Sequence, residues 1–435
     1  MPQPKLKTTK TLLVVLLFSF ALAFGIYWVS VRNKTVFKLQ LSELNYKFQP
    51  AAFVRNPEIA ILQQRIAQNE GSSDIELAAL AELFIAEAKR SGSTDYYAQA
   101  ETLAKSALNV NNKNKTAHTV LIKIMIARHQ FQDALTKVNN LFSDALTTDS
   151  ASLRAAIYMA VGRLPEALTQ INFLVRAKPD LGSATLKALV LAQMGQDDLA
   201  LHYFQRAIKI EDLNEELQSV FTRGQLAQLL IKKGNASQAI QLCDVALKIV
   251  PEHPFLLYVK AQAYVSQKNY KQAFALFQTA FAQSKEPVYL LNMVFVTKIM
   301  KNDADFKILS QQALTIYESE SDSDSYGHLI DLAELHYVMG NFEKALLVLR
   351  KNEKLRKTFR SEVALAKTLM MLDKFEDARD IIEAQIAIGA TDVSVYYLML
   401  DLAKGDHNDR LRKALLDRIR IHNPKFNAEI LMIIP

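Results

Sequence analysis

Arg223–Pro251 reads RGQLAQLLIKKGNASQAIQLCDVALKIVP, and this stretch decides the fold. Ala227 lies in a first apolar segment, Gly234 in the break after it, Ala239 and Ala246 on a second segment, and Pro251 ends the pattern. Small residues at those offsets let two antiparallel helices approach closely, and a glycine frees the turn between them. The stretch therefore predicts one helical hairpin. Cys243, the single cysteine of the chain, falls on the second helix where a small buried residue belongs, so it reads as a core thiol. With no second cysteine there is neither a disulfide framework nor a zinc cluster.

The hairpin repeats. Taking the alanine that begins each second helix gives Ala100, Ala134, Ala167, Ala200, Ala239, Ala273, then Phe306 in place of alanine, Ala345 and Ala378. Successive gaps are 34, 33, 33, 39, 34, 33, 39 and 33 residues. Twelve residues before each of these stand Ala88, Ile122, Ala155, Ala188, Ala227, Ala261, Val294, Ala333 and Ala366. Seven residues after come Ala107, Leu141, Leu174, Ala207, Ala246, Ala280, Ala313, Asn352 and Gln385. Three parallel columns of mostly small or apolar residues predict an all-α solenoid of antiparallel hairpins, each burying its face against the next.

With these columns in hand, residues 74 to about 421 resemble a tetratricopeptide repeat (TPR) array of nine recognisable hairpins and a degenerate last one, whose period is about 34 residues. The turn glycine of that family stands at Gly162, Gly195, Gly234 and Gly340, and its turn aromatic at Tyr97, Phe131, Tyr270, Phe342 and Phe375. Pro179 and Pro251 match the terminal proline. The chain departs from the pattern in lacking a first-helix tryptophan and in placing Lys301 where a glycine belongs. The resemblance implies a superhelix whose first helices line a concave face that takes an extended or helical peptide. Mapped onto this chain, its groove-facing positions are Phe221, Gln228, Phe255, Tyr258, Gln262, Phe295, Lys298, Glu334, Tyr337 and Lys367. That set is aromatic and amide-rich, which suits an apolar or aromatic-bearing segment. The alternative is that several of these aromatics are buried between hairpins. The Lys, Arg and Asn clamp with which some members hold a terminal carboxylate is not evident.

Two gaps of 39 residues mark insertions. One surrounds Glu211–Glu216; the other holds Glu318–Ser325, an acidic, serine-rich stretch expected to form a solvated loop. The basic run Arg350, Lys351, Lys354, Arg356, Lys357 and Arg360 reads as a solvated helix end, where positive charge suits the helix dipole. In the last hairpin Arg410, Arg412, Lys413, Asp417, Arg418 and Arg420 give the second helix the polar outer face of a terminal cap. The tail, residues 422–435, ends in the apolar run Ile430–Ile434, too short to span a bilayer and expected to pack on the last hairpin or on a partner.

Ahead of the array lies a different kind of sequence. After a short basic N-terminus, residues 1–10, Thr11–Val31 is an uncharged run of 21 residues, long enough at about 1.5 Å per residue to cross a hydrocarbon core of about 30 Å. Tyr27 and Trp28 stand near its end, at headgroup level. A cleaved signal peptide is the competing reading, with Ala21-Leu22-Ala23 as its site, but the apolar run continues past that point and Phe24 makes an awkward new terminus. A signal anchor is therefore expected. Lysines 5, 7 and 10 precede it and Arg32, Lys34 and Lys38 follow, so charge alone leaves orientation nearly tied. The short lysine-bearing N-terminus resembles that of an anchor whose larger part crosses the membrane. Residues 32–73 read as a juxtamembrane linker carrying a helix that starts at Asn56-Pro57-Glu58, with Ile59, Leu62 and Ile66 on one face.

The formal charge of +7 belongs to this leading region. Residues 1–73 hold nine Lys and Arg against three Glu, and the rest of the chain holds 43 positive against 42 negative residues. A near-neutral array lacks the basic face that nucleic acid requires. No HExxH, Gly-rich phosphate loop or nucleophile elbow is present, and the eight histidines are scattered, so no enzyme, metal, cofactor or small-molecule substrate is expected. The resemblance thus implies a membrane-anchored TPR scaffold of the bacterial cell envelope, facing the periplasm from the inner membrane. A cytosol-facing TPR receptor or adaptor, and a secreted TPR protein with a cleaved signal, are the alternatives.

Overall fold

In the computed structural model the described residues are 57–68, 73–143, 146–212, 216–321, 328–405 and 408–431. The segment Thr11–Val31 lies outside them, as do residues 322–327 of the acidic insertion and the last four residues. Among the described residues no helix is long and apolar enough to cross a membrane.

Helix α1 (Pro57–Gln68) buries Ile59 and Leu62 against the first hairpin, as the spacing of those two residues predicts. Ten hairpins follow among the described residues. The first five pair α2 (Asp74–Ser91) with α3 (Asp95–Val110), α4 (Lys115–Ala127) with α5 (Phe131–Leu141), α6 (Thr148–Ala160) with α7 (Leu164–Ala177), α8 (Leu181–Gln193) with α9 (Asp197–Lys209), and α10 (Glu216–Lys232) with α11 (Ala236–Ile249). The second five pair α12 (Pro254–Ser266) with α13 (Tyr270–Ser284), α14 (Pro287–Ile299) with α15 (Asp303–Ser321), α16 (Leu329–Val338) with α17 (Phe342–Leu355), α18 (Phe359–Met371) with α19 (Phe375–Ala387), and α20 (Val393–Leu402) with α21 (Asp409–His422). A single turn of helix, α22 (Ala428–Leu431), follows the last hairpin.

First helices start where side chains satisfy free backbone N–H groups. Thr147 with Ser150, Asp180 with Ser183 and Thr358 with Ser361 form reciprocal capping boxes, while Pro254 and Pro287 open α12 and α14 at positions that need no donor. The three sequence columns supply the core of the hairpins, with only Leu141 and Phe306 half-buried. All members of the first-helix column are at most 2% exposed, and all the second-helix alanines are fully buried. Asn352, a polar member of the third column, is buried and donates to the Arg356 carbonyl. Between the helices of hairpins 2 to 9 the turn residue is always left-handed: His129, Gly162, Gly195, Gly234, Lys268, Lys301, Gly340 and Asp373. Lys301 thus takes the backbone conformation of the glycine that it replaces.

The hairpins coil tightly enough that one superhelical turn touches the next. The turn of hairpin 1, at Gly92, meets Ser284 and Pro254. That of hairpin 2 sets His129 against His328, ring centroids 5.3 Å apart. Gly162 in hairpin 3 lies on the Lys357 carbonyl, Gly195 in hairpin 4 accepts from Thr391 Oγ1 at 2.9 Å, and Gly234 in hairpin 5 meets Asn423. In each case the turn of one hairpin touches the C-terminal end of the hairpin five further on or the connector that leaves it, and Gly92 also meets the start of that hairpin at Pro254. This regular offset makes a continuous seam between successive superhelical turns.

Arg223, the first residue of the deciding stretch, ties the first insertion to the fold. Its side chain is fully buried and bonds Glu211 through Nη1 at 2.7 Å and Nη2 at 3.0 Å, while Ser219 donates to the same carboxylate at 2.8 Å. The insertion is thus anchored at its head by a desolvated ion pair. Cys243 is buried, and burial pushes its thiol up to about 12, which keeps it protonated.

Candidate functional site

The first helices of hairpins 5 and 6 carry an amide and aromatic ladder. Gln228 donates to Gln262 at 3.4 Å, and Gln262 donates to the Tyr258 hydroxyl at 2.7 Å. Tyr258 in turn packs its ring 5.8 Å from Phe277 and 5.3 Å from Tyr289. Burial pushes its hydroxyl up to about 12. Phe221 and Phe255 lie 5.9 Å apart, and Gly224 leaves the room that Phe255 fills. Of these residues Phe221 keeps the most exposure, at 37%.

Hairpins 8 and 9 add an ionic cluster. Asp331 and Glu334 stand one turn apart on α16, and both face Arg360 in the first turn of α18. Arg360 donates to Asp331 at 2.7 Å and through Nε to Glu334 at 2.9 Å, with a second bond to Glu334 from Nη2. His328 Nδ1 lies 3.0 Å from the other Asp331 oxygen. Burial works to raise the Asp331 carboxyl, but Arg360 and His328 outweigh it and hold the group well below the usual carboxylate range. Both carboxylates are buried, whereas the Arg360 side chain is 46% exposed, so the cluster is reached from the Arg360 side.

Two turns along α18, Lys367 is 2% exposed. Its ammonium sits 4.9 Å from the centre of the Tyr337 ring and donates to the backbone carbonyl of Leu431 at 2.6 Å. Burial lowers Lys367 and raises Glu334, each against the pull of its opposite charges. A cavity of about 10 Å³, close to the size of one water, lies between Ala333, Glu334, Tyr337, Ala364 and Lys367.

The groove positions expected from sequence therefore sort into groups. Gln228, Tyr258 and Gln262 come together, and so do Glu334, Tyr337 and Lys367. Phe295 does not join them: at 1% exposure it is a core side chain of α14, packed among Leu291, Val294 and Tyr317. Lys298 is set apart as well, 4.6 Å over the Phe306 ring of the paired helix α15. Arg360 needs a correction of another kind. The basic run is not one helix end, because α17 stops at Leu355 and Arg360 begins α18, where it neutralises Asp331 and Glu334. Asp331, His328 and Leu431 are members that sequence reasoning missed. The Asp331–Glu334 spacing beside an arginine opening the next first helix was the available signal for the first.

Residues 200–280 match the family model described as "Anaphase-promoting complex, cyclosome, subunit 3". No curated protein matches the chain. Among solved structures, the chain is similar to a human IFIT1 dimer with PPP-AAAA, at 14% identity over 88% of this chain and 98% of that one, with a TM-score of 0.48. It is also similar to TTC0263, a thermophilic TPR protein in Thermus thermophilus, at 21% identity over 44% and 100% of the two chains, with a TM-score of 0.39. YrrB, a TPR protein with an unusual peptide-binding site, shares 18% identity over 43% and 94%, with a TM-score of 0.28.

Proposed function

We propose that this chain is a TPR scaffold that binds a protein or peptide segment along its inner face at Glu334, Tyr337, Arg360 and Lys367, and that Thr11–Val31 tethers it to the bacterial inner membrane with the array in the periplasm. The supporting observation for the site is the hydrogen bond from the buried Lys367 to the main-chain carbonyl of Leu431, a residue 64 positions later. An ammonium that binds a backbone carbonyl recognises peptide irrespective of side chain, while the flanking Tyr337 ring and an aliphatic wall of Ala333, Leu349 and Ala364 supply the apolar contact. Tethering rests on the uncharged run and its flanking lysines. A scaffold for assembly, recruitment or quality control in the cell envelope fits both.

Panning a displayed peptide library on the full chain tests the site. Enriched peptides are expected to lose at least tenfold in affinity on Lys367→Met and to keep it on Lys298→Met. Equal binding to the two variants contradicts the assignment. For topology, a reporter active only in the cytoplasm, fused after Pro435, is expected to be silent; activity overturns the periplasmic placement.

A further inference from the structure

After α21 the chain does not continue outward. It reverses and retraces the first helices of the last two hairpins. At the bend, His422 stacks on Tyr396 with ring centroids 5.8 Å apart. Phe426 then packs 5.6 Å from Tyr397 on α20, and Leu431 reaches α18, where its carbonyl takes the Lys367 bond and its side chain is 8% exposed. This path crosses two successive first helices, as a bound peptide would. Its middle part is held more loosely than the hairpin core. Phe426 is half-buried, and α22 is one turn long, whereas the column residues beneath are fully enclosed. Leu431 closes one end of the buried apolar cluster that holds Ala333, Ala364 and Ala366, so detaching the segment bares an apolar surface there.

Resting on the peptide-binding reading above, we propose that the inner face of hairpins 9 and 10 takes a segment bearing an aromatic residue five positions before an aliphatic one, and that residues 424–431 of this chain occupy it as a resident mimic. The Tyr397 ring receives the aromatic residue. The wall beside Lys367 receives the aliphatic one, and Lys367 binds the carbonyl of that same residue. A partner segment of this chemistry must displace the tail, so its apparent affinity is reduced by the fraction of chains in which the tail is seated.

The test uses the full chain in detergent and a fluorescein-labelled, C-terminally amidated peptide with the sequence of residues 424–431, PKFNAEIL, read by fluorescence anisotropy. Leu431→Asp unseats the tail while leaving Lys367, Tyr337 and Tyr397 in place. The peptide is expected to bind this variant at least tenfold more tightly than the wild type, and adding Lys367→Met is expected to remove that gain. Phe426→Ala serves as a second release variant if Leu431→Asp fails to fold, judged by circular dichroism. Equal affinity for wild type and both release variants overturns the resident-mimic proposal. So does the absence of binding to any of them, or binding that Lys367→Met leaves unchanged. If library peptides still depend on Lys367 in those cases, the peptide-binding reading stands and only the mimic fails.

Discussion

Gly162 and Gly340 occupy the same turn position in hairpins 3 and 8, with φ of +80° and +81°, yet their surroundings differ completely. A Cβ on Gly340 would meet nothing within 4 Å, whereas a Cβ on Gly162 would overlap the Lys357 carbonyl oxygen across the seam. Alanine at either site carries the left-handed backbone cost, about 1–2 kcal/mol, partly offset by the stiffer unfolded chain, about 0.4–1 kcal/mol. Gly340→Ala should therefore destabilise by about 1 kcal/mol. Gly162→Ala adds an overpacking term of about 1–3 kcal/mol, because the group in the way is backbone and no rotamer change relieves it. That extra term acts on the seam. Hydrogen exchange of the connector amides at residues 356–361 should accelerate about 5–150-fold in Gly162→Ala and stay near wild type in Gly340→Ala. A repeat array need not unfold in one step, so this local readout is preferable to a single melting temperature. Equal acceleration in the two variants would refute the seam.

Breaking the buried Arg223–Glu211 pair by Glu211→Ala leaves an unpaired guanidinium with 0% side-chain exposure, and should cost about 3–5 kcal/mol in urea unfolding monitored by circular dichroism. A loss below 1 kcal/mol would place Arg223 in water. Stability should also fall on acidification. Burial first, and then Arg90, lowers His253 to about 4, and burial with His328 and Arg356 lowers His129 to about 4. Since these values lie below the unfolded value of about 6.5, the unfolded chain takes up protons first, and the stability present above pH 6.5 is lost as pH falls toward 4. For His253, 8% exposed, the loss between pH 8 and pH 5 should be about 2 kcal/mol, and less for the more accessible His129. Denaturation curves of His253→Gln should show a correspondingly flatter pH dependence; an unchanged slope would contradict the assignment.

The hairpins were legible in the sequence because their cores are made by residue type at fixed spacing. Ala88, Ala100 and Ala107, and most of their counterparts in later repeats, are small or apolar, and all but Leu141 and Phe306 are buried. The seam was not legible, for a physical reason. Two of its contacts use the Lys357 and Gly195 carbonyls, which every residue possesses, and its members lie up to 196 residues apart. The turn residues hint at it in retrospect, since Lys268, Lys301 and Asp373 show that a side chain is tolerated in the left-handed turn itself. Gly162, Gly195 and Gly234 are glycines where, in addition, another part of the chain lies against them.

The candidate site was legible only in part. Lys367, Tyr337 and Glu334 follow from the position of first helices in the repeat. The role of Arg360 was hidden by five basic neighbours, although the Thr358 and Ser361 capping box that separates it from them was present in the sequence. Leu431 carried no signal because it acts through its main-chain carbonyl.

Whether a partner lies on the inner face is tested by photocrosslinking in the full chain carrying Leu431→Asp. p-Benzoylphenylalanine is placed at Tyr337, beside Lys367, or at Leu347, which is 73% exposed on the second helix of the same hairpin. Library-selected peptides are expected to crosslink from position 337 and not from position 347. Crosslinking from 347 with none from 337 would put the binding surface on the outside of the superhelix and contradict the account.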